Sequence, residues 1–143
     1  LPLVVVSQGV GITAVLGVLE AALSTRDQVW FFHCDYSPEK HAFRQEIEAE
    51  VKAHPNGKPF YFYSHNDSQV EVPHGSNTRL TSAVILSALE EGKVDLQNAD
   101  FLLALHATTG DEVEAGLEAA TVPATAIKHL VFGYFEHGLD TGL

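Results

Sequence analysis

The sequence predicts an α/β domain whose centre is an open parallel sheet of about five strands, with helices on both faces in three layers. Short uninterrupted apolar runs alternate along the chain with longer runs of helical periodicity, and this alternation is typical of strands joined by crossover helices. The apolar runs show no polar alternation, as expected for strands buried on both faces. The 143 residues, 45% of them hydrophobic, are enough for one domain with a sizeable core.

The start of the chain predicts a strand, a helix and a second strand. Leu3–Ser7 is an unbroken apolar run, and a glycine turn follows it. Ile12–Leu23 is rich in alanine and leucine, which favours a buried helix. Val29–His33 is rich in aromatic residues and predicts the second strand.

The next segment, Ser37–Lys52, predicts an amphipathic helix. Ser37 is placed to cap it, and Pro38 stands in its first turn, where proline is well tolerated. Phe43, Ile47 and Val51 recur at a spacing of four with charged residues between them, which indicates one apolar face.

The middle of the chain predicts a third strand, a long loop, a helix and a fourth strand. Phe60–Tyr63 is the strand, and the polar stretch His65–Asn77 is the longest candidate loop. Leu80–Leu89 predicts a helix that ends at Gly92. Phe101–Leu105 is the fourth apolar run.

The last elements are a helix and a fifth strand. Glu112–Ala120 predicts the helix, because Thr109-Gly110-Asp111-Glu112 has the pattern of a capping box. This start places two acidic residues near any ligand at that helix end, which disfavours tight binding of an anion. Ile127–Phe132 predicts the final strand.

The charge balance limits the classes of partner. Nineteen acidic and 8 basic residues give a formal net charge of −11, which disfavours non-specific binding to nucleic acid or to an anionic membrane. No apolar run approaches the roughly 20 residues of a membrane span. A phosphate-bearing ligand therefore has to be held by backbone N–H groups and one or two placed cations.

Cysteine use and the chain start indicate the cellular context. The single cysteine, Cys34, excludes an internal disulfide and fits the reducing environment of the cytoplasm. The chain begins without methionine and enters a strand almost at once, so we expect residues 1–143 to be one domain of a longer polypeptide.

The segment Gly9-Val10-Gly11-Ile12-Thr13 lies between the first strand and the first helix, where phosphate-binding turns occur. Glycine permits a tight turn and close approach of the backbone to a pyrophosphate, and a helix N-terminus attracts anions. This predicts a dinucleotide-binding turn. A plain strand-to-helix turn without a ligand is the alternative.

Ligands of open parallel sheets bind beyond the carboxyl ends of the strands. The residues at those ends are Gln8, His33-Cys34-Asp35, Ser64-His65 and His106-Ala107-Thr108. Asp35 follows the glycines by roughly the 20 residues expected of a ribose-binding carboxylate, although it also suits an ordinary turn. His33 and His106 are the best candidates for proton transfer if the domain has other chemistry.

The eight histidines do not predict a metal site. None belongs to a His-x-x-x-His array, and the chain has no Cys-x-x-Cys pair. We expect no metal.

The segment from Pro2 to Thr13 resembles the opening of the NAD(P)-binding domain of ferredoxin–NADP reductase-like flavoenzymes, and within them it is most similar to the reductase part of flavohaemoglobins. Further segments carry the same resemblance along the chain. They are Phe31–His33, His41–Glu46, Phe60–Ser64, Asn98–Leu103, Val122–Ala124 and Phe132-Gly133.

The resemblance implies electron transfer from NAD(P)H through FAD to an acceptor. In flavohaemoglobins the acceptor is haem, which oxidises nitric oxide to nitrate. The implied partners are an FAD-binding barrel upstream of residue 1 and, in a flavohaemoglobin, a globin. FAD and haem would be bound on those other domains.

The resemblance also implies the residues that contact the dinucleotide. Gly9, Gly11 and Thr13 would hold the pyrophosphate, and Ile12 belongs to the same turn. His33, Asp35 and Arg79 would flank the adenosine, although a surface arginine such as Arg79 is also commonly only solvated. The remaining cofactor-binding candidates are Ala104, Leu105, His106 and Phe132.

Three positions depart from the family's pattern, and the last two bear on hydride transfer. Ala14 replaces a proline, which is a mild change. Ala104-Leu105-His106 stands where relatives have Cys-Gly-Pro, and we expect the leucine to put bulk where the nicotinamide would lie. Leu130 replaces an acidic residue of the last strand. The alternative function is therefore a degenerate domain without hydride transfer, acting as a binding or scaffold module or as a repurposed non-redox enzyme.

Overall fold

The computed structural model describes residues 1–65 and 79–130. In these two ranges five strands form one sheet in the order β3-β2-β1-β4-β5, and every pair is parallel. The strands are β1 Leu3–Gln8, β2 Val29–Asp35, β3 Gly57–Tyr63, β4 Asp100–Ala104 and β5 Ile127–His129. The predicted fold class is confirmed.

Within the described ranges, four α-helices connect the strands and cover both faces of the sheet. They are α1 Ile12–Thr25, α2 Arg44–Ala53, α3 Ser82–Glu91 and α4 Ala107–Ala119. One core cluster joins the sheet to α1 and α2 through residues such as Val5, Leu19 and Ile47. The other joins it to α3 and α4 through residues such as Val6 and Leu117. Val5 and Val6 serve opposite clusters because successive side chains of a strand point to opposite faces.

The strand order has one reversal, at β1. The chain runs from β1 outward to β2 and β3, and then returns across β1 to β4 and β5. The connections after β1 and β4 therefore diverge to opposite faces and open a crevice at the carboxyl ends of these strands, which is where open α/β sheets bind ligands.

The predicted helix Ser37–Lys52 is wrong in its first half. Pro38–Lys40 is a short 3-10 turn, and α2 begins only at Arg44. Phe43 has a φ of 60°, a left-handed conformation that cannot continue a helix, and its side chain is 40% exposed instead of packing beside Ile47. Ser37 makes no side-chain capping bond.

The predicted start of the last helix is also wrong. Helix α4 begins at Ala107, with His106 as its N-cap residue and no side-chain capping bond. The predicted capping box from Thr109 to Glu112 therefore lies inside the helix, and the first turn contains no acidic residue. Asp111 and Glu112 therefore lie in the second turn of α4 and not at its start.

Several boundaries differ from the predictions by a few residues. Strand β3 starts at Gly57 and includes Pro59, which an edge strand tolerates because one side of it needs no N–H donor. Helix α3 is capped by Thr81, whose hydroxyl accepts the N–H of Val84 at 3.3 Å. The predicted loop His65–Asn77 lies outside the described residues except for His65, as does Phe132 at the end of the last predicted strand.

Candidate functional site

The turn between β1 and α1 requires glycine at one position. Gly9 has a φ of +53°, in the left-handed region that L residues rarely adopt. A Cβ on Gly9 would meet nothing within 4 Å, so conformation and not space demands glycine there. Gly11 is buried and forms the N-cap of α1, whose N-terminus carries the positive end of the helix dipole.

The two other predicted members of this turn are already engaged. The Ile12 side chain is fully buried, and its backbone N–H donates to the Gly9 and Val10 carbonyls. The Thr13 hydroxyl donates to the Val10 carbonyl oxygen at 2.8 Å. A hydroxyl has one proton, so Thr13 must release Val10 before it can donate to a phosphate.

A cleft of about 520 Å³ opens at the carboxyl ends of β1, β2 and β3. It brings together three of the predicted site residues, Gly9, Asp35 and Arg79. Its volume lies within the usual 300–1,000 Å³ of small-molecule sites. The other residues that line it are Gln8, Cys34, Tyr36, Phe62, Ser64, Leu80 and Thr109.

The Asp35 carboxylate is held on both oxygens. Oδ1 accepts the backbone N–H of Tyr36 at 2.9 Å, and Oδ2 lies 3.0 Å from His33 Nε2. The side chain is 12% exposed. These bonds fix the orientation of the carboxylate at the cleft and leave its remaining lone pairs for a ligand hydroxyl.

His33 is fully buried behind Asp35. Its Nδ1 lies 2.6 Å from the Ser7 hydroxyl, so Ser7, His33 and Asp35 form a continuous hydrogen-bonded chain from β1 to the end of β2. His33 therefore acts on a ligand only through Asp35. The other predicted proton-transfer histidine, His106, is exposed at the start of α4, so the two histidines lie in different environments.

A second buried histidine, His41, packs against the first. The two imidazole rings stack with centroids 4.2 Å apart, and His41 Nδ1 lies 2.8 Å from the Tyr63 hydroxyl. Burial and, to a lesser extent, the neighbouring His33 lower the pKa of His41 from 6.5 to about 3. Burial raises the pKa of Tyr63 above its usual range. At neutral pH the His41 imidazole and the Tyr63 hydroxyl are therefore both uncharged.

Sequence reasoning did not identify this network. Ser7 and His33 are the buried polar residues of β1 and β2, and they are register partners. Polar residues inside apolar runs were the available signal, but the pairing register is not visible in one sequence. His41 lies in the segment predicted as a regular helix, and that pattern does not indicate its contact with Tyr63.

The side chain of Leu105, the residue directly after β4, points into the core. Ala104 is fully buried and Leu105 is only 8% exposed. Leu105 belongs to the core cluster that contains Val113 and Leu117 of α4. The Leu105 isobutyl group therefore packs beneath α4, which argues against the expectation that it occupies the nicotinamide space.

Two contacts connect helix α4 to residues that line the cleft. The backbone N–H of His106 donates to Gln8 Oε1 at 3.1 Å, which places the start of α4 beside the glycine turn. Arg79 pairs with Glu112 of α4 at 3.2 Å, and its side chain is 75% exposed. Arg79 thus stands at the cleft already neutralised by a partner that a ligand phosphate would have to replace.

Cys34 also lines the cleft. Burial, followed by the charge of Asp35, raises the pKa of its thiol to about 12. The thiol is therefore protonated at neutral pH and is a poor nucleophile.

Two further properties concern the described parts of the chain. Within residues 1–65 and 79–130, no three His, Cys, Asp or Glu side chains are grouped so that they could hold a metal ion. None of the helices in these ranges is long and apolar enough to cross a membrane.

Residues 5–104 match the family model of the oxidoreductase NAD-binding domain. The chain belongs to this family. It is 49% identical to the flavohemoprotein of Pseudomonas putida over 63 residues, which are 44% of this chain and 16% of that protein. It is 30% identical to the flavohemoprotein of Deinococcus radiodurans over 127 residues, 86% of this chain and 30% of that protein.

Solved structures share the fold of this NAD-binding domain. The flavohem-like FAD/NAD-binding domain of nitric oxide dioxygenase from Vibrio cholerae superposes with a TM-score of 0.73 at 20% identity, covering 92% of this chain and 51% of that one. The flavohemoglobin of Malassezia yamatoensis, with bound FAD and heme, gives 0.71 at 19% identity, covering 92% and 32%. The chain thus spans less than a third of the curated relatives described above, and it is homologous to their reductase region.

Proposed function

We propose that this domain binds NAD(P)H and delivers its electrons to FAD on a neighbouring domain, in a flavohaemoglobin-like reductase that passes them to haem for the oxidation of nitric oxide to nitrate. The observation that carries the proposal is the cleft beside β1, in which the left-handed Gly9 meets Asp35 and Arg79. The similarity to flavohemoproteins supports the rest of the electron path.

In this proposal residues 1–143 are the NAD(P)-binding domain of a longer chain, with an FAD-binding barrel and, as in flavohaemoglobins, a globin upstream. When bound, FAD supplies the acceptor for a hydride from the nicotinamide. The chain described above binds and orients the donor. It does so at three places: the glycine turn for the pyrophosphate, Asp35 and Arg79 for the adenosine, and Ala104 to His106 for the nicotinamide.

The burial of Leu105 supports retention of hydride transfer. Its side chain is in the core, so Leu105 does not place a bulky group at the carboxyl edge of the sheet. Ala104, however, is fully buried and offers only a methyl group where relatives have a thiol. That observation favours the second candidate, a domain that binds a dinucleotide without hydride transfer.

An anaerobic titration of the full-length protein with NADH and, separately, NADPH tests the proposal. We expect loss of the oxidised-flavin absorbance at stoichiometric reductant, followed by reduction of haem. Bound flavin that keeps its absorbance in the presence of excess of both reductants would contradict the reductase function and favour the second candidate.

A further inference from the structure

Tyr36 is an exposed aromatic residue at the mouth of the cleft. It comes directly after β2, lines the cleft and is 56% exposed. Its ring stacks on that of His65, with centroids 4.1 Å apart and planes inclined by 20°. One face of the tyrosine is therefore covered by a parallel ring, and the exposed part of the ring adjoins the cleft.

The backbone around Tyr36 is held in place from two sides. Its N–H donates to the Asp35 carboxylate at 2.9 Å. Its carbonyl oxygen accepts the His65 N–H at 2.7 Å and the Ser64 hydroxyl at 3.3 Å. The aromatic pair is thus presented on strand ends that are already ordered, so a ligand that stacks there has little backbone to immobilise.

The charges around Tyr36 favour a neutral planar group over an anion. The Asp35 carboxylate lies next to it, whereas the glycine turn and the N-terminus of α1 lie one strand away across the Gln8–Cys34 pair. Phosphates are attracted to a helix N-terminus and repelled by a carboxylate. These charges favour an orientation of a dinucleotide with its pyrophosphate at Gly9 and its base at Tyr36.

We propose that Tyr36, backed by His65, is the surface on which the adenine ring of the dinucleotide stacks. The inference rests on the proposed function, because it concerns the same cleft. Aromatic side chains bind nucleobases through their π faces with little dependence on hydrogen bonding, and Tyr36 meets that requirement without help from its hydroxyl.

The test compares two probes on the full-length protein by calorimetry. ADP-ribose contains the adenine, and reduced nicotinamide mononucleotide lacks it. Tyr36→Ala should weaken ADP-ribose binding by about tenfold, the loss typical of one stacked base. Tyr36→Phe should bind as the wild type does, and neither variant should change the affinity for the mononucleotide. His65→Ala should weaken ADP-ribose binding by a smaller factor.

Melting temperatures of the variants serve as the control for folding. Tyr36 and His65 are exposed, so their replacement should leave the melting temperature unchanged. Wild-type affinity for ADP-ribose in Tyr36→Ala would overturn the stacking surface while leaving the proposed function standing. An equal loss of mononucleotide binding would also overturn it, since it would indicate general damage to the cleft. A wild-type protein that binds neither probe would overturn the proposed function and this inference together.

Discussion

Replacing Gly9 with alanine probes the turn on which dinucleotide binding depends. The residue has a φ of +53°, and a Cβ would meet nothing within 4 Å, so the penalty is conformational. A left-handed L residue costs about 1–2 kcal/mol, and a less flexible unfolded chain returns about 0.4–1 kcal/mol. We expect Gly9→Ala to lower the free energy of unfolding by about 1 kcal/mol and to weaken NADH binding.

Gly17 provides a matched control. It lies in the exposed interior of α1, and a Cβ there also meets nothing within 4 Å, but its backbone is helical. Gly17→Ala should therefore raise the free energy of unfolding by about 0.5–1 kcal/mol. Urea denaturation of both variants measures the difference, which should approach 2 kcal/mol, about the sum of the two effects. A Gly9→Ala protein as stable as Gly17→Ala, with unchanged NADH affinity, would refute the reasoning.

Three further predictions concern the arginine at the cleft, the buried histidine and the contact between α3 and α4. Arg79→Glu should weaken dinucleotide binding several-fold because it removes the cation and leaves Glu112 unpaired, whereas Glu112→Gln should strengthen binding; unchanged calorimetric affinity in both would exclude a role for the arginine. The pKa of His41 is lowered from 6.5 to about 3 in the folded protein, so the unfolded chain takes up the proton at a higher pH than the folded one does. The contribution of His41 to the free energy of unfolding is therefore complete above pH 6.5 and is lost as the pH falls towards 3. The expected slope is up to about 1.4 kcal/mol per pH unit; His41→Phe should reduce it by that amount in denaturation curves from pH 7 to about pH 5, and an unaltered slope would show that another group titrates. Gly116→Ala would make its Cβ collide with the Ser82 side chain and should cost about 1–3 kcal/mol. Ser82→Gly should restore most of this loss in a double-mutant cycle, and additive losses would contradict the contact.

The sheet was predictable because the apolar runs are short, continuous and separated by helical periodicity. The first residues of the helices were harder to predict. Phe43 fits the apolar spacing of a helix yet adopts a left-handed conformation, and Thr109 fits a capping box yet lies inside α4. In both cases tertiary contacts outweigh local preference: His41 is drawn into the buried network, and Gln8 accepts the N–H at the start of α4.

The site was predictable where it depends on chain order and not where it depends on register. Gly9 and Asp35 meet in one cleft, as the rule for carboxyl ends of parallel strands implies. Arg79 lines the same cleft, and its place there was implied by the family resemblance. The hydrogen-bonded chain from Ser7 to His33 arises from cross-strand pairing. The direction of Leu105 depends on how α4 covers the sheet, which no local pattern encodes.

A crystal structure of the full-length protein with NAD⁺ tests the central claim most directly. We predict a pyrophosphate within hydrogen-bond distance of the turn from Gly9 to Gly11, with the adenosine between Asp35 and Tyr36. A dinucleotide bound away from the carboxyl ends of β1 and β2, or no bound dinucleotide at saturating concentration, would contradict the account.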